Sequence, residues 1–232
     1  ARRSGALAAM AIAAAIGAAP ALAAQASDPA RLYAAGSLHA AAGGLLRKLE
    51  RDPRDPAVWY NLGATYYRLG LDGRAAAAWL QAHRLAPRDR TVNRALDLVP
   101  PPEPASAARV WTPPVSWPEL ALAALPLWVA GWALFAWRPR RRDLGLALVL
   151  LGALAGGAAL ALCVREARPV GIVLSGTPLQ LSPHERAPTI TPLEAGSAVL
   201  LLRGQAGWTM VDAPGGRLGW VPSDSVFRLR SL

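Results

Sequence analysis

The chain has 232 residues, a formal net charge of +10, and 53% hydrophobic against 17% charged residues. The apolar residues concentrate in three nearly charge-free stretches, at 5–24, 120–137 and 144–164. The polar pieces that remain are each too small to bury the core of a typical multi-step enzyme. The positive charge divides into +4 over residues 27–98, +2 over 165–232 and +4 elsewhere. No soluble piece therefore carries the concentrated basic patch of a nucleic-acid-binding protein.

The N-terminal stretch is typical of a secretory signal peptide. Arg2 and Arg3 precede an apolar run, and Pro20 and a series of small residues ending at Ala26 follow it. A basic start, an apolar middle and a small-residue end are the three parts of such a signal. We predict a signal peptide over residues 1–26, with export of the chain that follows, and an uncleaved anchor helix is the alternative.

The other two apolar stretches predict membrane-spanning helices over residues 117–137 and 144–164. Each reaches the roughly 18 to 20 residues that a hydrocarbon core of ~30 Å requires. The loop 138–143 between them holds four arginines, which retain such a loop in the cytoplasm. Both soluble pieces are then expected on the exported side. Gly152 and Gly156 predict close helix packing, either against the first span or against a partner.

Residues 27–98 predict helical hairpins, with the clearest repeat over 56–89. Large apolar residues follow helical spacing on two helices, while Gly63 and Ala75 leave room where the helices cross. The positions that define the repeat are Trp59, Leu62, Gly63, Tyr66, Ala75, Trp79, Ala82 and Pro87. This pattern resembles the tetratricopeptide consensus at every anchor.

The repeat region is short for an array of this kind. A second, degenerate repeat is expected over residues 27–55, whereas about three repeats are normally needed for a self-sufficient solenoid. The resemblance implies a protein-docking face on the first helix, formed by Tyr60, Ala64, Tyr67 and Arg68. For Tyr67 and Arg68, an ordinary solvated helix face is as good an interpretation as direct contact with a partner. A proline-rich linker over residues 99–116 follows.

Residues 170–232 predict a small all-β barrel. Short β-branched or alternating runs give four or five strands, and Gly215-Gly216 predicts a hairpin turn between two of them. The sequences Gly207-Trp208 and Gly219-Trp220-Val221 resemble the bacterial SH3 domain. Trp208, Gly219 and Trp220 are either structural residues of the barrel or ligand contacts. Residues 179–183 depart from the family pattern at the usual ligand-contacting loop.

The remaining polar residues form no constellation that predicts catalysis. His39, His83 and His184 are separated along the chain, and none has a second ligand at a metal-binding spacing. Cys163 is the only cysteine and lies at the end of the second predicted span. We therefore expect a protein that is not an enzyme and that uses no metal or cofactor.

The order of the predicted parts resembles the BatE-type proteins of the Bacteroides aerotolerance operons. These parts are a signal, tetratricopeptide units, two spans joined by an arginine loop, and an SH3-like domain. The resemblance implies a non-catalytic adaptor of the bacterial cytoplasmic (inner) membrane, with both soluble domains in the periplasm and a role in stress or oxygen tolerance. The partners it implies are von Willebrand factor A-type membrane proteins and a MoxR-type ATPase. A peptidoglycan-binding or envelope-sensing protein acting through the SH3-like domain is the alternative.

Overall fold

The computed structural model describes residues 28–99 and 115–230, together with Val110 and Pro113. The predicted signal peptide at 1–26 and most of the predicted linker lie outside the described residues. Contacts divide the chain into two units, residues 1–100 and residues 101–232. The first unit is helical, and the second holds two apolar helices and an antiparallel sheet.

The described part of the first unit consists of five helices connected by short turns. These are α1 (Pro29–Ala34), α2 (Leu38–Arg51), α3 (Pro56–Arg68), α4 (Asp72–Leu85) and α5 (Arg90–Leu96). The carboxylate of Asp55 caps α3 by accepting hydrogen bonds from the backbone N–H groups of Ala57 (2.8 Å) and Val58 (3.2 Å). Gly70 follows the end of α3 and has a φ of +72°. This left-handed conformation ends the helix, and glycine adopts it most easily. Successive helices pack as antiparallel hairpins, α2 on α3 and α3 on α4.

Two long apolar helices begin the second unit. Helix α6 spans Trp117–Trp137, a short 3₁₀ turn covers Pro139–Arg141, and helix α7 spans Arg142–Glu166. Both helices are long and apolar enough to cross a membrane, and only 11% of the most apolar part of each is buried in the protein. A core helix of a soluble protein would instead be mostly buried.

Helices α6 and α7 form a hairpin whose contact runs along glycines. A Cβ at Gly131 would lie 2.7 Å from the backbone nitrogen of Val149, and one at Gly152 would lie 2.8 Å from that of Trp128. Glycine therefore permits the two backbones to approach closely. Gly152 packs against the first span, as one of the two sequence alternatives proposed, whereas a Cβ at Gly156 would have no atom within 4 Å.

The second unit ends in a seven-stranded antiparallel sheet with strand order β3-β2-β6-β5-β4-β1-β7. The strands are β1 (Val170–Val173), β2 (Thr177–Gln180), β3 (Thr189–Leu193), β4 (Ala198–Gln205), β5 (Trp208–Ala213), β6 (Arg217–Pro222) and β7 (Val226–Arg228). Strands β3 and β7 are the two ends of the pairing order. All seven strands nevertheless contribute side chains to one core around Leu179, Val199 and Val211, so the sheet must curve around that core.

The expectation of four or five strands was too low. The missed strands β2 and β3 each contain a proline, and Pro178 pairs directly with Pro192. Proline donates no ladder hydrogen bond and marks a sequence as turn or edge strand, which hides this pair from pattern analysis. The predicted hairpin at Gly215-Gly216 is confirmed, because both glycines have positive φ and join β5 to β6.

A second tight turn joins β4 to β5. Ala206 and Gly207 connect the paired residues Gln205 and Trp208, and both have positive φ values, of 46° and 82°. Positive φ at both central positions is the signature of a type I′ hairpin turn, whose twist matches that of the flanking strands.

Candidate functional site

The residues that define the predicted repeat form the core between α3 and α4. Their large members are nearly inaccessible, with Trp59 5%, Leu62 1% and Trp79 1% exposed. The indole of Trp79 occupies the space beside Gly63, where a Cβ would overlap the ring. Its Nε1 donates a 3.0 Å hydrogen bond to the carbonyl oxygen of Tyr60. Ala75 and Ala82 are fully buried, Tyr66 is half-buried, and Pro87 lies in the turn after α4.

The predicted docking face is divided by the protein's own packing. Tyr60 and Ala64 are half-buried and pack on the cluster of Trp79, Ala75 and Ala95, together with Leu96 and Val99 from α5 and the residues after it. This end of α3 therefore packs on a cluster to which both α4 and α5 contribute.

The other end of the face is more open. Tyr67 is 39% exposed, and its ring lies 5.6 Å from that of Trp79. The guanidinium of Arg68 lies 4.6 Å from the ring centroid of Tyr33 and donates a 3.2 Å hydrogen bond to the Tyr33 carbonyl. Helix α1 therefore orients Arg68, and Tyr67 is the predicted face residue with the most accessible ring.

Two titratable groups of the helical unit have shifted pKa values. Burial lowers the pKa of His83 from its ordinary value, an effect that a hydrogen bond with the Asn93 side chain partly opposes. The buried Nδ1 of His83 has no hydrogen-bond partner. Burial also raises the pKa of Tyr66, although the positive charge and hydrogen bond of Arg74 act in the other direction. Both groups lie within the helical packing of this unit.

The strands β1 to β7 and their connections, residues 170–228, are called the β unit below, and its tryptophans do not form an open aromatic platform. Trp220 is 6% exposed, and the guanidinium of Arg203 lies 5.3 Å from its ring centroid. Trp208 is half-buried at the start of β5. A Cβ at Gly219 would lie 2.8 Å from the carbonyl oxygen of Gln180, so glycine permits β6 to approach β2.

Sequence reasoning missed a pocket at one end of the β unit. This cavity of about 310 Å³ is lined by residues of β4, β5 and β7 and of the connections beside them, including Arg203, Thr209, Ser223 and Arg228. Its residues are separated along the chain, so no motif of contiguous residues reveals it. The pairing of β1 with both β4 and β7 is what brings them together.

A second cavity, of about 360 Å³, lies between the apolar helices. Its lining is almost entirely apolar and includes Trp117, Trp128, Gly156 and Cys163. Among the described residues, no group of three or more His, Cys, Asp and Glu side chains is arranged to hold a metal ion.

Family models and curated proteins were the two points of comparison for the sequence. No protein-family model matches the chain, and no curated protein matches it either. The assignment of the helical unit to tetratricopeptide repeats and of the β unit to SH3-like domains consequently depends on the motifs in the sequence and on the packing described above.

Proposed function

We propose that this protein is a non-catalytic adaptor of the cell envelope, anchored in a membrane by α6 and α7. The observation that carries the proposal is the apolar hairpin itself, of which only 11% is buried in the most apolar part of each helix. Exposure of such an apolar surface is favourable in the hydrocarbon core of a membrane and unfavourable in water. The hairpin is attached to two small folded units, an arrangement suited to holding binding modules at a membrane.

The helical unit is proposed as a tetratricopeptide module that binds a protein partner. Its support is the fit of Trp79 against Gly63 at the crossing of α3 and α4, which gives those consensus residues a physical role. The docking surface we propose is centred on Tyr67, with Arg68 at its border. Tyr60 and Ala64 would contact a partner only at their exposed edges, because both are half-buried against the cluster of Trp79, Ala75 and Ala95.

The β unit is proposed as an SH3-like domain, and the whole chain as a BatE-type protein. The support is the seven-stranded antiparallel sheet, with Gly219 at a close strand approach and Trp220 beside it. The partners that this assignment proposes are von Willebrand factor A-type membrane proteins and a MoxR-type ATPase. A role in stress or oxygen tolerance follows from the same resemblance.

Purification in a mild detergent tests the adaptor function. The full chain should recover membrane-protein partners, and Tyr67→Ala should lower that recovery by about tenfold if the ring is a central contact. Arg68→Glu should also lower it, while Arg47→Glu on the exposed face of α2 is the matched charge reversal expected to leave recovery unchanged. A full chain that purifies alone and stable would contradict the proposal.

The alternative function, peptidoglycan binding through the β unit, predicts a different result. The full chain would sediment with isolated peptidoglycan, and substitution of Trp208 would reduce that binding. The adaptor proposal expects no enrichment over an unrelated membrane protein in the same detergent. Coverage of Trp220 by Arg203 supports the adaptor, since stacking on a sugar requires an accessible ring.

A further inference from the structure

The pocket of about 310 Å³ in the β unit combines positive charge, hydroxyl groups and apolar surface. Arg203 and Arg228 are exposed at its border, and the hydroxyls of Thr209 and Ser223 lie 2.8 Å apart. Leu202, another lining residue, is 53% exposed. The adaptor function proposed above makes no use of this pocket.

The pocket lies close to the end of an apolar helix. Only residues 167–169 separate α7 from β1, and three residues span at most about 11 Å. Both ends of this connection are fixed, because Ala167 N–H donates to the Cys163 carbonyl (3.0 Å) and Leu201 N–H donates to the Pro169 carbonyl (2.8 Å). Pro169 and Leu201 both line the pocket. In a membrane-inserted chain, the pocket therefore lies near the headgroup region.

The charges of this region favour an anion. Arg168 is exposed in the connection itself and adds to Arg203 and Arg228. Arg203 and Arg228 are the charged residues among those that line the pocket, and this described lining holds no carboxylate. Arginine pairs with phosphate through two parallel hydrogen bonds, and an exposed leucine beside arginines is typical of surfaces that lie at a membrane interface.

We propose that this pocket binds the headgroup phosphate of an anionic phospholipid in the membrane that α6 and α7 span. Arg203 and Arg228 contact the phosphate, the two hydroxyls accept or donate hydrogen bonds to the headgroup, and Leu202 enters the boundary of the acyl chains. The inference rests on the proposed membrane anchoring. It adds a lipid-binding site that holds the β unit against the bilayer surface.

Lipid-dependent thermal stability of the full chain tests this site. Phosphatidylglycerol added to protein in an uncharged detergent should raise the midpoint of thermal unfolding by several degrees, whereas phosphatidylcholine and inorganic phosphate should not. The double variant R203Q/R228Q should lose most of that shift. The matched control R186Q/R217Q removes the same charge from β2–β3 and β6 positions outside the pocket lining and should retain it.

A second variant keeps the test decisive if the arginine pair is needed for folding, since Arg203 stacks on Trp220. Leu202→Gln changes a side chain that is already exposed and should reduce the shift by about half. An equal shift with phosphatidylcholine, a shift with inorganic phosphate alone, or a full shift in both pocket variants would overturn the proposal. Extraction of the chain from membranes at alkaline pH would contradict the anchoring, whereas a chain that is retained but indifferent to phosphatidylglycerol would contradict the lipid site alone.

Discussion

At the scale of single residues, the helical unit depends on one pair of complementary shapes. Gly63 lies where a side chain would overlap the indole of Trp79, and that indole donates its N–H to Tyr60. The sequence predicted both residues as anchors because their spacing follows the helical repeat. It could not predict that Arg68, about two and a half helical turns along α3 from Trp59, would be held by Tyr33. That contact joins residues 35 positions apart, beyond the reach of local periodicity.

Gly63→Ala should destabilise the hairpin of α3 and α4 by about 1–3 kcal/mol, because the added methyl group overpacks a filled core. Amide hydrogen exchange of these helices in the full chain should accelerate roughly tenfold to a hundredfold. Gly43→Ala is the control, because a Cβ there meets only Arg47 at 3.6 Å and alanine favours helix. Equal exchange in both variants would contradict the packing described.

At the scale of elements, the apolar helices were predicted most closely and the strands least. Long apolar sequence identifies both helices: the predicted span 117–137 has the bounds of α6, and the predicted span 144–164 lies within α7, whose two charged ends extend beyond it. Strands of three to five residues give little pattern, and prolines in β2 and β3 weaken it further. Close helix packing was predicted at both Gly152 and Gly156. Gly152 lies in the contact with α6, whereas a Cβ at Gly156 would have no atom within 4 Å.

Gly152→Ala should weaken the hairpin of α6 and α7, since the new methyl group would lie 2.8 Å from the backbone nitrogen of Trp128 and force the helices apart. The midpoint of thermal unfolding in detergent should fall by several degrees, equivalent to about 1–3 kcal/mol. Gly156→Ala, four residues further on the same helix, should leave it unchanged. A lower midpoint for Gly156→Ala than for Gly152→Ala would refute the observed contact.

The packing of α5 on α4 should depend on pH through His83. Burial lowers the pKa of this histidine in the folded protein, whereas in the unfolded chain the value stays near 6.5. Below about pH 6.5 the unfolded state therefore binds the proton more readily, and stability falls as the pH decreases toward the lowered pKa. Hydrogen exchange of α4 and α5 should accelerate between pH 7.5 and 5.5, after correction for the intrinsic exchange rate.

His83→Gln should remove most of this pH dependence. His39→Gln, at an exposed position on α2, is the matched control and should retain it. Protection of α4 and α5 that increases on acidification would show that the buried imidazole is not the group responsible.

At the scale of the whole molecule, the sequence predicted the kinds of structure and their order better than the surfaces they present. Helices, apolar spans and strands follow from local patterns, and all three are present in that order. The docking face was predicted as a single stripe on α3, but one end is half-buried against the Trp79 cluster and Arg68 at the other end is held by Tyr33 of α1. The pocket beside Arg228 was not predicted, because strand pairing between distant segments creates it.

The arginine loop makes the orientation of the whole chain testable. We expect residues 138–143 in the cytoplasm and both soluble units in the periplasm, because cationic loops of this length are retained during insertion. A periplasm-active reporter fused after Leu232 should be active, and the same reporter inserted after Arg140 should be silent. The reverse pair of results would invert the proposed topology.

The pairing of β1 sets the order in which the second unit can assemble during synthesis. β1 follows α7 directly, but its neighbour β7 lies about 55 positions later, a long separation that slows folding. If α6 and α7 anchor the chain as proposed, this helical hairpin can enter the bilayer while the ribosome is still producing the sheet. Strands β1 to β6 cannot complete the core until β7 emerges and pairs with β1.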